Sequence, residues 1–183
     1  MPPAADAVSD DAPFDALVAA ESLIREIPDY PEPGILFRDI TPLLADAAAL
    51  RTVIDALTAP FAGQFDVVAG VEARGFLLAG AVAIATETGM VPVRKAGKLP
   101  RPAASVSYAL EYGEATIEVH DDLAPGTRVL LVDDVLATGG TLEAAQRLFA
   151  ELGVVVVGTA VLMELEGLGG RAVLGDVHTV FVG

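Results

Sequence analysis

The stretch Val129 to Thr141 reads VLLVDDVLATGGT, and its order decides the fold. Val129, Leu130, Leu131 and Val132 form a short apolar run rich in β-branched residues. Such a run is expected to be a buried parallel strand. Two carboxylates, Asp133 and Asp134, follow it. Then comes a loop of small residues, Ala137, Thr138, Gly139, Gly140 and Thr141. From Leu142 to Leu152 the spacing becomes helical, with Leu142, Ala145, Leu148, Phe149 and Leu152 on one face. The unit is therefore strand, acidic pair, Gly/Thr loop, helix N-terminus.

Each part of that unit has a chemical use. Free N–H groups at a helix start, with the positive end of the helix dipole, favour phosphate. Gly139 and Gly140 let backbone approach an anion closely. Thr138 and Thr141 add hydroxyl donors. Ligands of open α/β sheets bind at the carboxyl ends of strands, where Asp133 and Asp134 are expected. Two carboxylates do not hold a phosphate. They accept hydrogen bonds from vicinal hydroxyls, or help retain a metal already bound to the ligand. A phosphate beside a diol describes a ribose 5-phosphate. The loop is not a Walker A loop, because no Gly-Lys-Ser/Thr is present, nor a G-x-G-x-x-G dinucleotide fingerprint. The stretch resembles the phosphoribosyl pyrophosphate (PRPP) signature of the type I phosphoribosyltransferases.

Composition narrows the classes. A chain of 183 residues, 53% of them hydrophobic, is enough for one domain with a sizeable core. Cysteine is absent, which excludes disulfides and thiolate chemistry. The formal charge is −15, with 11 Lys plus Arg against 26 Asp plus Glu. That balance argues against a nucleic-acid partner. The longest apolar run, Val154 to Met163, is too short to span a bilayer, so no membrane partner is expected. The start, MPPAADAVSDDAP, lacks a basic and an apolar segment of secretory type. Residues 1–12 read as a frayed tail and 13–183 as a single domain, and a cytoplasmic location is expected.

Phe14 to Ile27 reads as an amphipathic helix, closed by Pro28, Pro31 and Pro33. Thr41-Pro42 fits a short helical turn, and Asp46 a cap for a helix reaching Leu57. Phe65 to Val71 reads as a buried strand that runs into Glu72-Ala73-Arg74-Gly75 and a helix ending at Gly89. An Arg in such a loop forks two hydrogen bonds onto a phosphate, although solvated loop arginines are ordinary. Val91 to Arg94 reads as a short strand. Arg94, Lys95, Lys98 and Arg101 then concentrate positive charge in an acidic chain, which calls for an anion if it is not simply a solvated loop. Ser105 to Leu110 and Ala115 to His120 read as a hairpin able to close over a site. Gly153 is expected to end the helix from Leu142. Val154 to Leu162, Gly167 to Leu174 and Val177 to Val182 complete the chain as strand, short helix and strand. The alternation predicts an α/β fold, a mainly parallel twisted sheet flanked by helices. His120 and His178 lack metal-ligand spacing and read as structural or surface groups.

Four blocks together resemble the adenine phosphoribosyltransferases over about Ile27 to Val182. Pro33 to Ile40 resembles their base-binding hood, placed at about 28–42. Glu72-Ala73-Arg74-Gly75-Phe76 resembles their pyrophosphate loop. Arg94 to Pro100 with Ser107 to Gly113 resembles their mobile loop. The PRPP motif is the fourth. The resemblance implies that adenine and PRPP give AMP and pyrophosphate, a purine-salvage reaction, with Mg²⁺ carried by PRPP and no metal bound directly by the chain. It implies that Ala137, Thr138, Gly139, Gly140 and Thr141 hold the 5-phosphate, and that Asp133 and Asp134 meet the ribose hydroxyls. Glu72, Ala73, Arg74, Arg94, Lys95 and Lys98 serve pyrophosphate, some across a homodimer. Leu36, Phe37 and Arg38 receive adenine, with Phe37 stacked on it. Glu111 manages the proton at N7 with Tyr112 beside it, and Arg74 joins Glu111 as catalytic. Ala73 stands where some relatives carry Ser. Two rivals share the PRPP motif: a 6-oxopurine or orotate phosphoribosyltransferase, and a PRPP-sensing regulator without catalysis. The acidic charge and Glu111 disfavour the regulator.

Overall fold

The computed structural model describes residues 12–109 and 114–183. The chain divides into two compact units at Val53/Ile54. In the first, α1 covers Ala12–Glu21 and is followed by β1, Arg25–Pro28, and β2, Leu36–Asp39. The amphipathic pattern through Ile27 therefore does not stay helical. Pro28 disfavours helical backbone at Ile27, and Ile27 instead pairs with Phe37 across an antiparallel ribbon. The short turn Thr41–Ala45 forms α2, and α3 runs Ala47–Thr58. Asp46 caps α3 as expected: its Oδ1 accepts the Ala49 N–H at 2.9 Å.

The second unit is a seven-stranded sheet with β3 (Val67–Val71) at its centre. Its other strands are β4 (Gly89–Lys95), β5 (Ala104–Ala109), β6 (Glu114–Val119), β7 (Arg128–Leu136), β8 (Val155–Glu164) and β9 (His178–Val182). The order is β5-β6-β4-β3-β7-β8-β9. Strands β4, β3, β7, β8 and β9 run parallel, and β5 and β6 add an antiparallel hairpin at one edge. The mainly parallel sheet is the one the sequence pattern predicts. Helix α4, Gly75–Thr86, follows β3, and α5, Gly140–Glu151, follows β7; a short α6, Gly170–Leu174, precedes β9. The helix after β3 stops three residues short of Gly89. Glu87 takes the left-handed position there (φ 57°), and the Thr88 N–H returns to the Ala83 carbonyl at 2.9 Å. Gly153 does take a left-handed backbone after α5 (φ 69°).

The core explains the register. Leu142, Ala145, Leu148 and Phe149 of α5 are buried in one cluster with Val129 and Leu131 of β7 and Val71 of β3. Close approach between β3 and α4 depends on Gly70, where a Cβ would lie 2.6 Å from the Ala79 Cβ. Parallel strands buried on both faces carry continuous apolar runs, which is why β3 and β7 read so plainly in the sequence.

Candidate active site

Strands β3 and β7 are direct neighbours, paired from Val67↔Val129 to Gly70↔Val132. Their following loops, 72–74 and 137–139, therefore open side by side at the carboxyl end of the sheet. The acidic pair sits inside β7, not beyond it: the strand continues to Leu136, with Val135 opposite Met163 of β8. Successive strand residues point to opposite sides, and the two carboxylates take different partners. Asp133 lines a hollow of about 130 Å³ with Ala137, Thr138, Gly139, Gly140 and Thr141. Asp134 meets Arg74, whose Nη2 is 2.6 Å from Asp134 Oδ2.

Both carboxylates are buried, at 8% and 6% exposure. Burial pushes the Asp133 carboxyl well above the usual range, and the Asp134 charge adds to the rise. The Asp134 N–H, donated to Asp133 Oδ1 at 2.8 Å, opposes it. Gly75 gives this pair room: a Cβ there would stand 2.8 Å from Asp133 Oδ1 and 3.0 Å from the Val132 carbonyl.

The hollow is built on glycine. Gly139 is the N-cap of α5 with φ 83°, and no side chain caps the helix. The first N–H groups of α5 therefore face the hollow without a competing side-chain acceptor, the arrangement that suits phosphate. Behind the loop, Gly170 at the start of α6 is pressed against it. A Cβ on Gly170 would lie 2.3 Å from the Ala137 carbonyl oxygen. The sequence marks Gly170 only as part of a short helix.

A second cluster lies where β3 ends. Glu72 gathers the basic segment: the Arg94 Nε donates to its Oε2 at 3.3 Å, the Lys95 N–H to the same oxygen at 3.0 Å, and Lys98 Nζ to its Oε1. Burial alone would raise the Glu72 pKa. The hydrogen bonds from Lys98, the Lys95 backbone and Arg94 outweigh it and hold Glu72 below its ordinary value. The Arg94 guanidinium also lies over the Phe76 ring, 5.9 Å from its centre. Lys95 and Lys98 are exposed, and Ala73 is exposed beside them. The Glu72–Ala73 peptide is cis. So Arg74, Arg94 and Lys98 are each held by a carboxylate, and the Glu72 side chain gathers the cations of the basic segment.

In the first unit, Leu36, Phe37 and Arg38 lie on β2. The Tyr30 ring meets the Phe37 ring edge-on, centres 5.2 Å apart at 74°. Arg38 pairs with Glu26 across the ribbon, and Asp39 Oδ1 accepts the Thr41 N–H and hydroxyl. Glu111 and Tyr112 lie outside the described residues. Tyr108, on β5, reaches the glycine loop, with its hydroxyl 3.0 Å from Thr141 Oγ1. Sequence alone did not single out this residue. His178 is structural as expected, with Nε2 2.9 Å from the Ala56 carbonyl oxygen.

Comparison with known proteins agrees with this geometry. The phosphoribosyl transferase domain family matches residues 40–173. An adenine phosphoribosyltransferase of Arthrobacter sp. (strain FB24) is 63% identical over 163 residues, covering 88% of this chain and 87% of the relative. The crystal structure of adenine phosphoribosyltransferase from Rhodothermus marinus DSM 4252 superposes with TM-score 0.87 at 50% identity, covering 93% of this chain and 99% of that one. That of the Saccharomyces cerevisiae enzyme, complexed with an imino-altritol bisphosphate and adenine, gives TM-score 0.84 at 34% identity over 91% and 97%. With a glycine-built βα loop, a buried acidic pair and these relatives, the chain belongs to the adenine phosphoribosyltransferase family.

Proposed function

We propose that this chain transfers the 5-phosphoribosyl group of PRPP to adenine, giving AMP and pyrophosphate. The observation that carries the reading is the pair of adjacent βα loops, one a glycine-built hollow lined by Asp133, the other bearing Arg74 on Asp134. The high-identity relatives named for this reaction supply the base. In this reading the loop Ala137–Thr141 holds the 5-phosphate. The ribose hydroxyls donate to Asp133 and Asp134. Such hydrogen bonds favour the charged carboxylate, so the diol offsets the cost that burial places on Asp133.

Breaking the anomeric C–O bond builds positive charge on the ribose and negative charge on pyrophosphate. The carboxylates favour the first. Arg74, Arg94, Lys95 and Lys98 favour the second, by electrostatic stabilisation of the leaving group. Mg²⁺ carried by PRPP would supply further neutralisation of phosphate charge. For Arg94 and Lys98 to serve pyrophosphate, the anion takes the place that Glu72 now occupies. Phe37 stacks on adenine, between backbone of Leu36 and Arg38 that reads the base edge, and Glu111 handles the N7 proton with Tyr112. These roles rest on the resemblance of their sequence blocks.

A homodimer fits the same reading. Helix α4 carries no charged side chain from Gly75 to Thr86, yet Leu77 and Ile84, one heptad apart, are 58% and 84% exposed. A second copy would cover this stripe. Among the described residues no helix is long and apolar enough to cross a membrane, and the cysteine-free composition suits a cytoplasmic enzyme. The test is the Asp133→Ala, Asp134→Ala double variant. It is expected to fold and to lose PRPP-dependent AMP formation, each charged contact contributing about 1.5–3 kcal/mol. Near-wild-type kcat/KM in the folded variant would refute the site.

A further inference from the structure

The Thr141 hydroxyl donates to the Tyr108 hydroxyl at 3.0 Å. Tyr108 stands on β5, is buried in the core cluster and pairs with Ala115 of β6. Thr141 is the second residue of α5 and lines the glycine-built hollow. The contact therefore crosses from the edge hairpin to the phosphate loop. Strand β5 ends at Ala109, two residues before Glu111 in the sequence.

A threonine hydroxyl has one proton and can donate it once. In this structure the proton is spent on Tyr108. A phosphate held at Ala137–Thr141 needs that same proton. The Tyr108 hydroxyl is also a donor, and it can turn its own proton onto the Thr141 oxygen. In the arrangement seen only Thr141 is placed to donate, so the reversal takes a small shift of the Tyr108 hydroxyl relative to Thr141 as well as rotation of both O–H groups. The result is a chain from Tyr108 O–H to Thr141 O–H to phosphate. Hydrogen bonds that end on an anion are the stronger kind, and each bond in such a chain polarises the next.

We propose that Tyr108 is a positioning residue for the 5-phosphate, acting through Thr141 by reversal of the hydrogen bond seen here. The reversal links occupancy of the phosphate loop to the strand that leads into Glu111. The inference rests on the reading of Ala137–Thr141 as the phosphate loop.

The experiment compares binding of AMP and adenosine to the wild type, Tyr108→Phe, Thr141→Val and the double variant, by titration calorimetry. Phe keeps the buried ring and Val the shape of Thr, so the fold is retained and thermal unfolding verifies it. The wild type is expected to bind AMP more tightly than adenosine. Tyr108→Phe is expected to weaken AMP roughly three- to tenfold, the range of one hydrogen bond, and to leave adenosine unchanged. In the Thr141→Val background the Tyr108→Phe change should have no further effect. Equal weakening of AMP and adenosine would show a packing role and overturn the proposal. So would unchanged AMP binding, or a full loss that persists without the Thr141 hydroxyl. Equal affinity of the wild type for AMP and adenosine would instead remove the phosphate-loop reading itself.

Discussion

Arg74 Nη2 and Asp134 Oδ2 are 2.6 Å apart, tying the loop after β3 to the neighbouring strand β7. The carboxylate is buried and the guanidinium side chain is 31% exposed. Removing one partner of a buried pair leaves the other charge uncompensated. Arg74→Ala is therefore expected to lower unfolding free energy by about 1–3 kcal/mol, read from urea denaturation. Adding Asp134→Asn should recover part of that stability without restoring turnover, a coupling that a double-mutant cycle measures. Strictly additive losses would mean that the pair is not a functional unit in the fold.

Asp133 makes a prediction about pH. Its folded pKa is raised by burial and by Asp134. The folded state therefore holds the proton more tightly than the unfolded chain, and ionising Asp133 costs stability once pH exceeds the ordinary carboxylate range. Asp133→Asn removes that cost and can still accept the Asp134 N–H. The variant should melt above the wild type at neutral pH, with the gap shrinking as pH falls, while PRPP turnover is lost. A gap that stays constant, or widens in acid, would contradict the assigned environment.

Glu72 holds Arg94 and Lys98 where the reading needs pyrophosphate. Anion and carboxylate then compete for the same cations. Glu72→Gln keeps an acceptor for the Lys95 N–H but removes the charge. Product inhibition by pyrophosphate is expected to tighten severalfold and to become more salt-sensitive. Weaker inhibition would make Glu72 a support for the binding geometry, not a competitor.

The sheet was legible because β3 and β7 are buried on both faces and carry unbroken apolar runs. The α3 cap at Asp46 and the left-handed Gly153 were legible because each is a local rule. Ile24 to Ile27 misled, since helical spacing persists there while Pro28 and pairing with Phe37 decide for a strand. Asp133 and Asp134 read as residues beyond the strand because charge is unusual inside one; pairing with β8 carries the strand past them to Leu136. At the site, residue types showed where an anion would go. They did not show that Glu72 gathers cations more than twenty residues away, or that Tyr108 reaches Thr141. Those contacts are made by strand order, and no short-range pattern encodes them.

Base selectivity separates transfer to adenine from transfer to any other purine. Adenine presents a donor at its 6-position and an acceptor at N1; hypoxanthine and guanine reverse both. A site that hydrogen-bonds one pattern leaves buried groups unpaired against the other, and the rejection reaches ~10⁴-fold. Phe37→Ala should weaken all bases alike, because stacking does not read the edge. The measurement is kcat/KM for adenine, hypoxanthine and guanine in parallel, at saturating PRPP and Mg²⁺. Adenine is predicted to exceed both by orders of magnitude. Either 6-oxopurine within about tenfold of adenine would contradict the assignment.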